Sequence, residues 1–335
     1  EDIEPMKEAL QAAKAAGITA VIASDMAAIT YARELGIEVH ISTQLSISNS
    51  QSLKFYAQYA DVIVLARELN LGQVKEIKAT IDREQIKGPS GRLLEIEMFC
   101  HGALCMAISG KCYLSLHEYG ASANRGSCYQ LCRRGYSVTD LETGNTLEID
   151  NKYIMSPKDL CTIEFMDKII DAGVTVFKIE GRARSAEYVK TVARCYRDAA
   201  DAVLAGKYTP EYASELKERL STVFNRGFWD GYYQGARLGE WSEVYGNKAT
   251  KSKKYIGKVT NYFSNIGVAE ILIETGSISV GDNVIIIGPS TGVVEVTVEE
   301  IRVDLKSTES AVKGEYCSIA VPEKLRRSDK LYLFQ

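Results

Sequence analysis

The sequence predicts an α/β protein with parallel strands, followed by a small antiparallel β-barrel domain. Three observations carry this. Helical and strand patterns alternate from the start of the chain, and the strands are short apolar runs of the kind buried on both faces. The alternation resumes after an insertion rich in cysteine and glycine. Beyond residue 254 the helical pattern stops, and short alternating strands follow at regular spacing. Repeated β–α units form either a barrel or a doubly wound sheet, and periodicity alone leaves both open. The expected organisation is a β/α domain over 1–245, a polar lysine-rich linker over 246–254 and a small β-barrel over 255–335.

In chain order, a helix over 6–16 stops at Gly17, and the apolar run ITAVIAS follows at 18–24. A helix over 25–35 ends at Gly36 before IEVHIST at 37–43. Helix 50–60 leads into DVIVLARE at 61–68, then helix 71–83 and the strand LLEIEMF at 93–99. Residues 97–136 should form a folded loop, because glycines at 102, 110, 120, 126 and 135 interrupt every helix there. A hairpin with a TGN turn is expected over 136–155. Ser156, Pro157, Lys158 and Asp159 read as the cap of a helix reaching 172. Strand 175–181 and helices 185–205 and 210–222 follow, and FNRGFWDGYYQGARLGEW is too rich in glycine and aromatics for regular structure. The strands after the linker include YIGKVTNYF, IGVAEILIE and NVIIIGP.

Composition is that of an ordinary globular protein, 46% hydrophobic and 25% charged in 335 residues. No apolar run approaches the roughly 18 residues of a membrane span, and the opening residues EDIEPMKEAL do not read as a signal peptide. A cytoplasmic protein with no membrane partner is expected. Starting at Glu1 and running directly into an amphipathic helix, the chain reads as a fragment whose true N-terminus is missing. A net charge of −4 argues against a broadly basic, nonspecific nucleic-acid binder and leaves room for a local basic patch.

The chemistry concentrates in the loop. Five of the eight cysteines, at 100, 105, 112, 128 and 132, fall within 97–136, with two of the three histidines. In a reducing compartment such clustering points to metal or catalysis rather than to disulfides. Cys105, Cys112, Cys128 and Cys132, spaced C-x6-C-x15-C-x3-C, are the expected ligands of a metal centre, an iron–sulfur cluster of the 4Fe-4S type. Zinc is the nearest competitor, and only Cys128 and Cys132 approach its knuckle spacing. Cys161 is a reserve ligand, Cys100 is ambiguous, and Cys195 and Cys317 read as core.

Polar residues end several strands, where active groups of parallel folds gather. Gln44, Arg67, Lys178 and Arg182 would line a pocket for a small anionic cosubstrate, with the two arginines as carboxylate forks. Glu97, His101 and Glu180 are the candidate catalytic groups, whereas His117 ranks lower and His40 reads as core. The bland alternative is an internal salt-bridge network. Arg125, Arg133 and Arg134 beside the cysteines, and Arg226 with Phe228, Trp229, Tyr232 and Tyr233, suit phosphate contact and base stacking. Aromatics at a domain junction more often pack an interface.

EMFCHGALCMAISGKCYLS, NRGSCYQLCRR, SPKDLC and FKIEGRARS, with STQLSISN and VLARELNL, resemble the collagenase-like peptidase family, from about Gly17 to the C-terminus. SISVGDNVIIIGP also resembles the strand–turn–strand of translation-factor-type β-barrels. The family resemblance implies a TIM-type (β/α) barrel, N-terminally incomplete. It also implies kinship with bacterial proteins that hydroxylate the wobble uridine of tRNA, using an iron–sulfur cluster and prephenate. Carried over, Cys105, Cys112, Cys128 and Cys132 are the cluster ligands, with the fourth position variable in some relatives. The expected partners are the tRNA anticodon loop, the anionic cosubstrate and an electron-transfer partner. A peptidase is the alternative function, although no G-x-S-x-G or H-E-x-x-H motif is present. A noncatalytic RNA-binding protein with a structural cluster is the third.

Overall fold

The computed structural model describes residues 2–144, 146–147, 155–182, 184–236, 239–243 and 246–335. They fall into two compact units. The first comprises Glu1–Glu180, Cys195–Lys217 and Asn225–Lys248, and the second Gly181–Arg194, Glu218–Phe224 and Ala249–Gln335.

The first unit opens with alternating α1 (Ile3–Ala15), β1 (Ala20–Ala23), α2 (Met26–Glu34), β2 (Glu38–Ile41), α3 (Ser50–Ala57), β3 (Val62–Val64), α4 (Leu71–Glu84) and β4 (Glu95–Gly102). Local chemistry sets these boundaries. The Asp25 carboxylate and the Asn49 amide oxygen accept from the first free N–H groups of α2 and α3. Asn70 and Gln73 form a reciprocal capping box at the start of α4. Gly36, at φ 68°, supplies the left-handed turn that ends α2.

β1 to β4 pair in parallel in chain order, and Val174–Glu180 adds in parallel to β4. Asp159–Cys161 runs antiparallel to the end of β4, through His101↔Cys161 and Gly102↔Leu160, and Phe228–Trp229 pairs parallel to it. The result is a seven-stranded mixed sheet. Strand alternation sends Val39, Ile41, Ile63, Ile96 and Met98 into a core shared with Ile29, Leu53, Val74, Ile77 and Ile81 of the helices. The intervening residues Glu38, His40, Glu95, Glu97 and Phe99 therefore take the opposite face of the sheet.

Several expectations change. The strand read over 93–99 extends through Cys100 and His101, because pairing on both sides holds it to Gly102. The loop contains a helix after all, Leu114–Tyr119, in the glycine-free stretch before Gly120. Asp159 does not cap a helix. Its N–H donates to the Gly227 carbonyl at 2.9 Å and its carboxylate accepts from buried Arg226 at 3.2 Å, so the segment is a strand. The hairpin survives as Val138–Thr139 paired with Thr146–Leu147, and residues 145 and 148–154 of that expectation lie outside the described residues.

In the second unit eight strands form one antiparallel sheet. Its order is Gly292–Thr297, Asn283–Gly288, Lys330–Phe334, Lys253–Phe263, Val268–Ile273, Tyr316–Ala320, Ile301–Val303 and Lys306–Thr308. Ser277–Ser279 and Ser310–Val312 form a second small sheet. Ile256, Ile271, Ile286, Ile319 and Leu331 lie in its own core. Among the described residues no helix is long and apolar enough to cross a membrane.

Candidate functional site

Glu97 is the buried centre of the polar face, with 3% of its surface exposed. Its carboxylate accepts from Lys178 Nζ at 2.8 Å and meets His40 Nδ1 at 2.7 Å. Burial opposes its ionisation, yet these two hydrogen bonds outweigh burial and hold the carboxyl below its usual range. His40 was read as core. It is instead the partner of Glu97 from two strands away, and its place opposite Val39 and Ile41 in the alternation was the available signal.

Next along that face, the Arg67 guanidinium stacks on Phe99 at 3.6 Å from the ring centre, and Lys178 Nζ stands 5.3 Å from the same ring. Arg67 Nη1 donates to the Ala103 carbonyl at 3.1 Å, and its Nε is buried with no hydrogen-bond partner. Burial lowers the Arg67 pKa, partly offset by Tyr233, Cys105, Glu180 and Glu68. The arginine is thus within electrostatic reach of both Cys105 and Glu180. The Tyr233 hydroxyl, pushed up by burial, donates to the Phe99 carbonyl at 2.8 Å.

Gln44 ties the loop to the strand ends. Its amide donates to the Asn124 carbonyl at 3.3 Å and accepts from Ser24 at 2.8 Å, and a side chain at Gly110 would collide with it. Arg133 donates to the Leu104 carbonyl at 2.7 Å and to Ser156 Oγ at 3.1 Å, so it is a brace inside the loop.

Within the loop, burial raises the Cys132 thiol, Arg133 lowers it, and Cys105, Cys128 and Cys112 each raise it further. Cys132 therefore senses the other three expected ligands. Cys105 and Cys128 are exposed, and Cys112 and Cys132 half-buried. Among the described residues no three His, Cys, Asp or Glu side chains stand close enough to share one metal ion.

His101 and Cys161 belong to a different neighbourhood. His101, 1% exposed, lies 3.3 Å from the Tyr196 hydroxyl and packs against Tyr196 and Phe228. Tyr196 donates to the Cys100 carbonyl at 2.7 Å and accepts from the Thr162 N–H at 2.9 Å. Burial pushes the Cys100 thiol up and the Cys161 thiol to about 11. Arg182 falls in the second unit. The Arg226 cluster expected to touch RNA is interior, with Trp229 and Tyr233 buried and Arg226 paired to Asp159.

A cavity of about 260 Å³ lies beside the His101 neighbourhood, lined by Cys161, Glu164, Lys168, Lys217, Phe228 and Trp229 among others.

The profile described as Peptidase family U32 matches residues 1–243. The chain belongs to peptidase family U32. Its U32 relatives carry different names. A protein named collagenase from Porphyromonas gingivalis W83 is 59% identical over 334 residues, covering all of this chain and 81% of that protein. The Bacillus subtilis tRNA hydroxylation protein P1 is 33% identical over 309 residues, 90% of this chain and 70% of its own length. The Escherichia coli 23S rRNA 5-hydroxycytidine C2501 synthase is 34% identical over 297 residues, 84% of this chain and 42% of its own length.

Proposed function

We propose that this chain is an RNA-modifying enzyme that adds a hydroxyl to C5 of the wobble uridine of tRNA, with an iron–sulfur cluster and prephenate. The observation that carries the reading is the arginine where the cysteine loop leaves its strand: Arg67 lies flat on Phe99, donates to the Ala103 carbonyl of the loop, and keeps a buried Nε without a hydrogen-bond partner. The names of the tRNA and rRNA hydroxylation relatives support the substrate class. A TIM-type barrel is the proposed architecture, with the five parallel strands as an arc of it.

Four thiols from one glycine-rich loop are the type of donor that a 4Fe-4S cluster takes. Cys105, Cys112, Cys128 and Cys132 would hold it, and when bound it supplies one-electron chemistry, replenished by an electron-transfer partner. Arg67, flat on Phe99 with its Nε unpartnered, binds a carboxylate of the anionic cosubstrate. Lys178, Glu97 and His40 would form the polar floor of that site, and Glu180 lies near the same arginine. His101, set apart against Tyr196, remains a proposed catalytic group.

Mass spectrometry of tRNA nucleosides tests this in cells lacking the gene, complemented with the parent, Cys105→Ser or Arg67→Ala. Only the parent should restore 5-hydroxyuridine-type modification, and the anaerobically purified parent should be brown with about four irons per chain. A colourless zinc protein, or modification indifferent to the gene, overturns the reading.

The second reading, a collagenase-like peptidase, is favoured by the 59% identity to a protein of that name. A cysteine peptidase needs a thiol with a lowered pKa. The thiols that shift here, Cys100, Cys132, Cys161 and Cys317, all move upward. Gelatin cleavage by metal-free protein, lost in Cys105→Ala, would establish that reading instead.

A further inference from the structure

We infer that the outer face of the cysteine loop is a stacking platform for unpaired nucleobases of an RNA loop. This rests on the RNA reading above and assigns its contact surface. Of the 22 large exposed apolar or aromatic side chains among the described residues, eight lie between Met106 and Leu141. Such a concentration marks an interaction surface rather than scattered exposure. Its aromatic members are Tyr113, Tyr119 and Tyr129, exposed by 74%, 50% and 63%.

These rings are held in place. Tyr119 and Tyr129 meet with centres 5.2 Å apart at 50°. Arg134 Nη2 donates to the Tyr119 hydroxyl at 3.0 Å, and its guanidinium lies 5.9 Å from that ring's centre. Behind them the Tyr129 N–H donates to the buried Ser115 hydroxyl at 3.0 Å, locking residue 129 to the helix Leu114–Tyr119. Rigid rings with few torsions present a π-face at little entropic cost, which sequence-tolerant base stacking requires.

Charge selects RNA over a protein chain. Residues 98–136 carry Lys111, Arg125, Arg133 and Arg134 against Glu118 alone, in a chain whose net charge is −4. A duplex hides its base faces, so the fitting ligand is a single-stranded loop. The other aromatic group, around Trp229 and Tyr233, is buried and unavailable for this contact.

The test is fluorescence anisotropy with a labelled anticodon stem–loop RNA on the full chain, with iron content and circular dichroism recorded for each variant. Tyr119→Ala and Tyr129→Ala should each weaken binding roughly fivefold to a hundredfold, while Tyr129→Phe stays within about twofold of the parent. Tyr113→Ala, at the most exposed ring, should show the same loss and serves where the paired tyrosines affect folding. A blunt RNA duplex should compete poorly. Parent RNA binding left unchanged by folded alanine variants overturns the platform while sparing the RNA reading. A parent that binds no RNA overturns both. Loss of binding to a gelatin peptide in these variants, with RNA binding retained, would assign the face to a protein chain and overturn the platform.

Discussion

At the scale of single residues, Glu97 is the buried anion of the polar sheet face. Its two partners come from separate strands, so one carboxylate ties β2, β4 and Val174–Glu180 together. Its folded pKa lies below the unfolded value of about 4.3, so its stabilisation is complete above that pH and is lost as pH falls through the lower folded value. Acidification from about pH 5 to about pH 3 should therefore lower the melting temperature of the parent more than that of Glu97→Gln. At neutral pH, Glu97→Gln leaves Lys178 without its counter-charge. Lys178 keeps some solvent contact, so the loss should be on the order of 2 kcal/mol, below the figure for a fully buried pair. Thermal melts across this pH range check both, and a parallel pH response in the two proteins would refute the assignment of Glu97 as the buried anion. His40 shows why such a centre is hard to read from sequence. Its own strand is legible, but its partner lies 57 residues further on.

At the scale of elements, local signals served where local chemistry decides. The Asn70–Gln73 capping box and the left-handed Gly36 are written in adjacent residues, and so are the boundaries they set. Ser156 to Asp159 failed for the opposite reason. The motif suits a helix cap, but Asp159 is claimed by Arg226, 67 residues later, and the backbone joins a sheet. The insertion after β4 was legible as a glycine-rich loop, whereas its helix was hidden by the glycines on either side. In the second unit, Lys253–Phe263 is the longest described strand and pairs on both edges. At Gly257 an added Cβ would strike the Leu272 carbonyl oxygen, a backbone atom that cannot turn away. Gly257→Ala should cost about 2 kcal/mol or more by overpacking, read as a lower denaturant midpoint. An unchanged midpoint would mean that the strand shifts freely at its bulge, which its double pairing opposes.

At the scale of the whole molecule, charge argues how RNA would be held. A protein of net charge −4 cannot rely on a general cationic field, so its grip must come from a few local cations and from stacking. Arg133 is committed to the carbonyls of Leu104 and Pro157, which leaves as the loop's cations for phosphate Lys111, Arg134 and, on exchange of its exposed ion pair with Asp2, Arg125. Three phosphate contacts on a single strand give a slope of log K against log salt of about −2. Binding of the stem–loop RNA measured between about 50 and 200 mM salt should follow that shallow line, with Arg134→Ala reducing the slope by somewhat less than one. The three tyrosine variants should shift the line down without tilting it, because stacking releases no counterions. A slope steeper than about −5 would require some seven cations, more than this loop owns, and would move the RNA contact to another face of the protein.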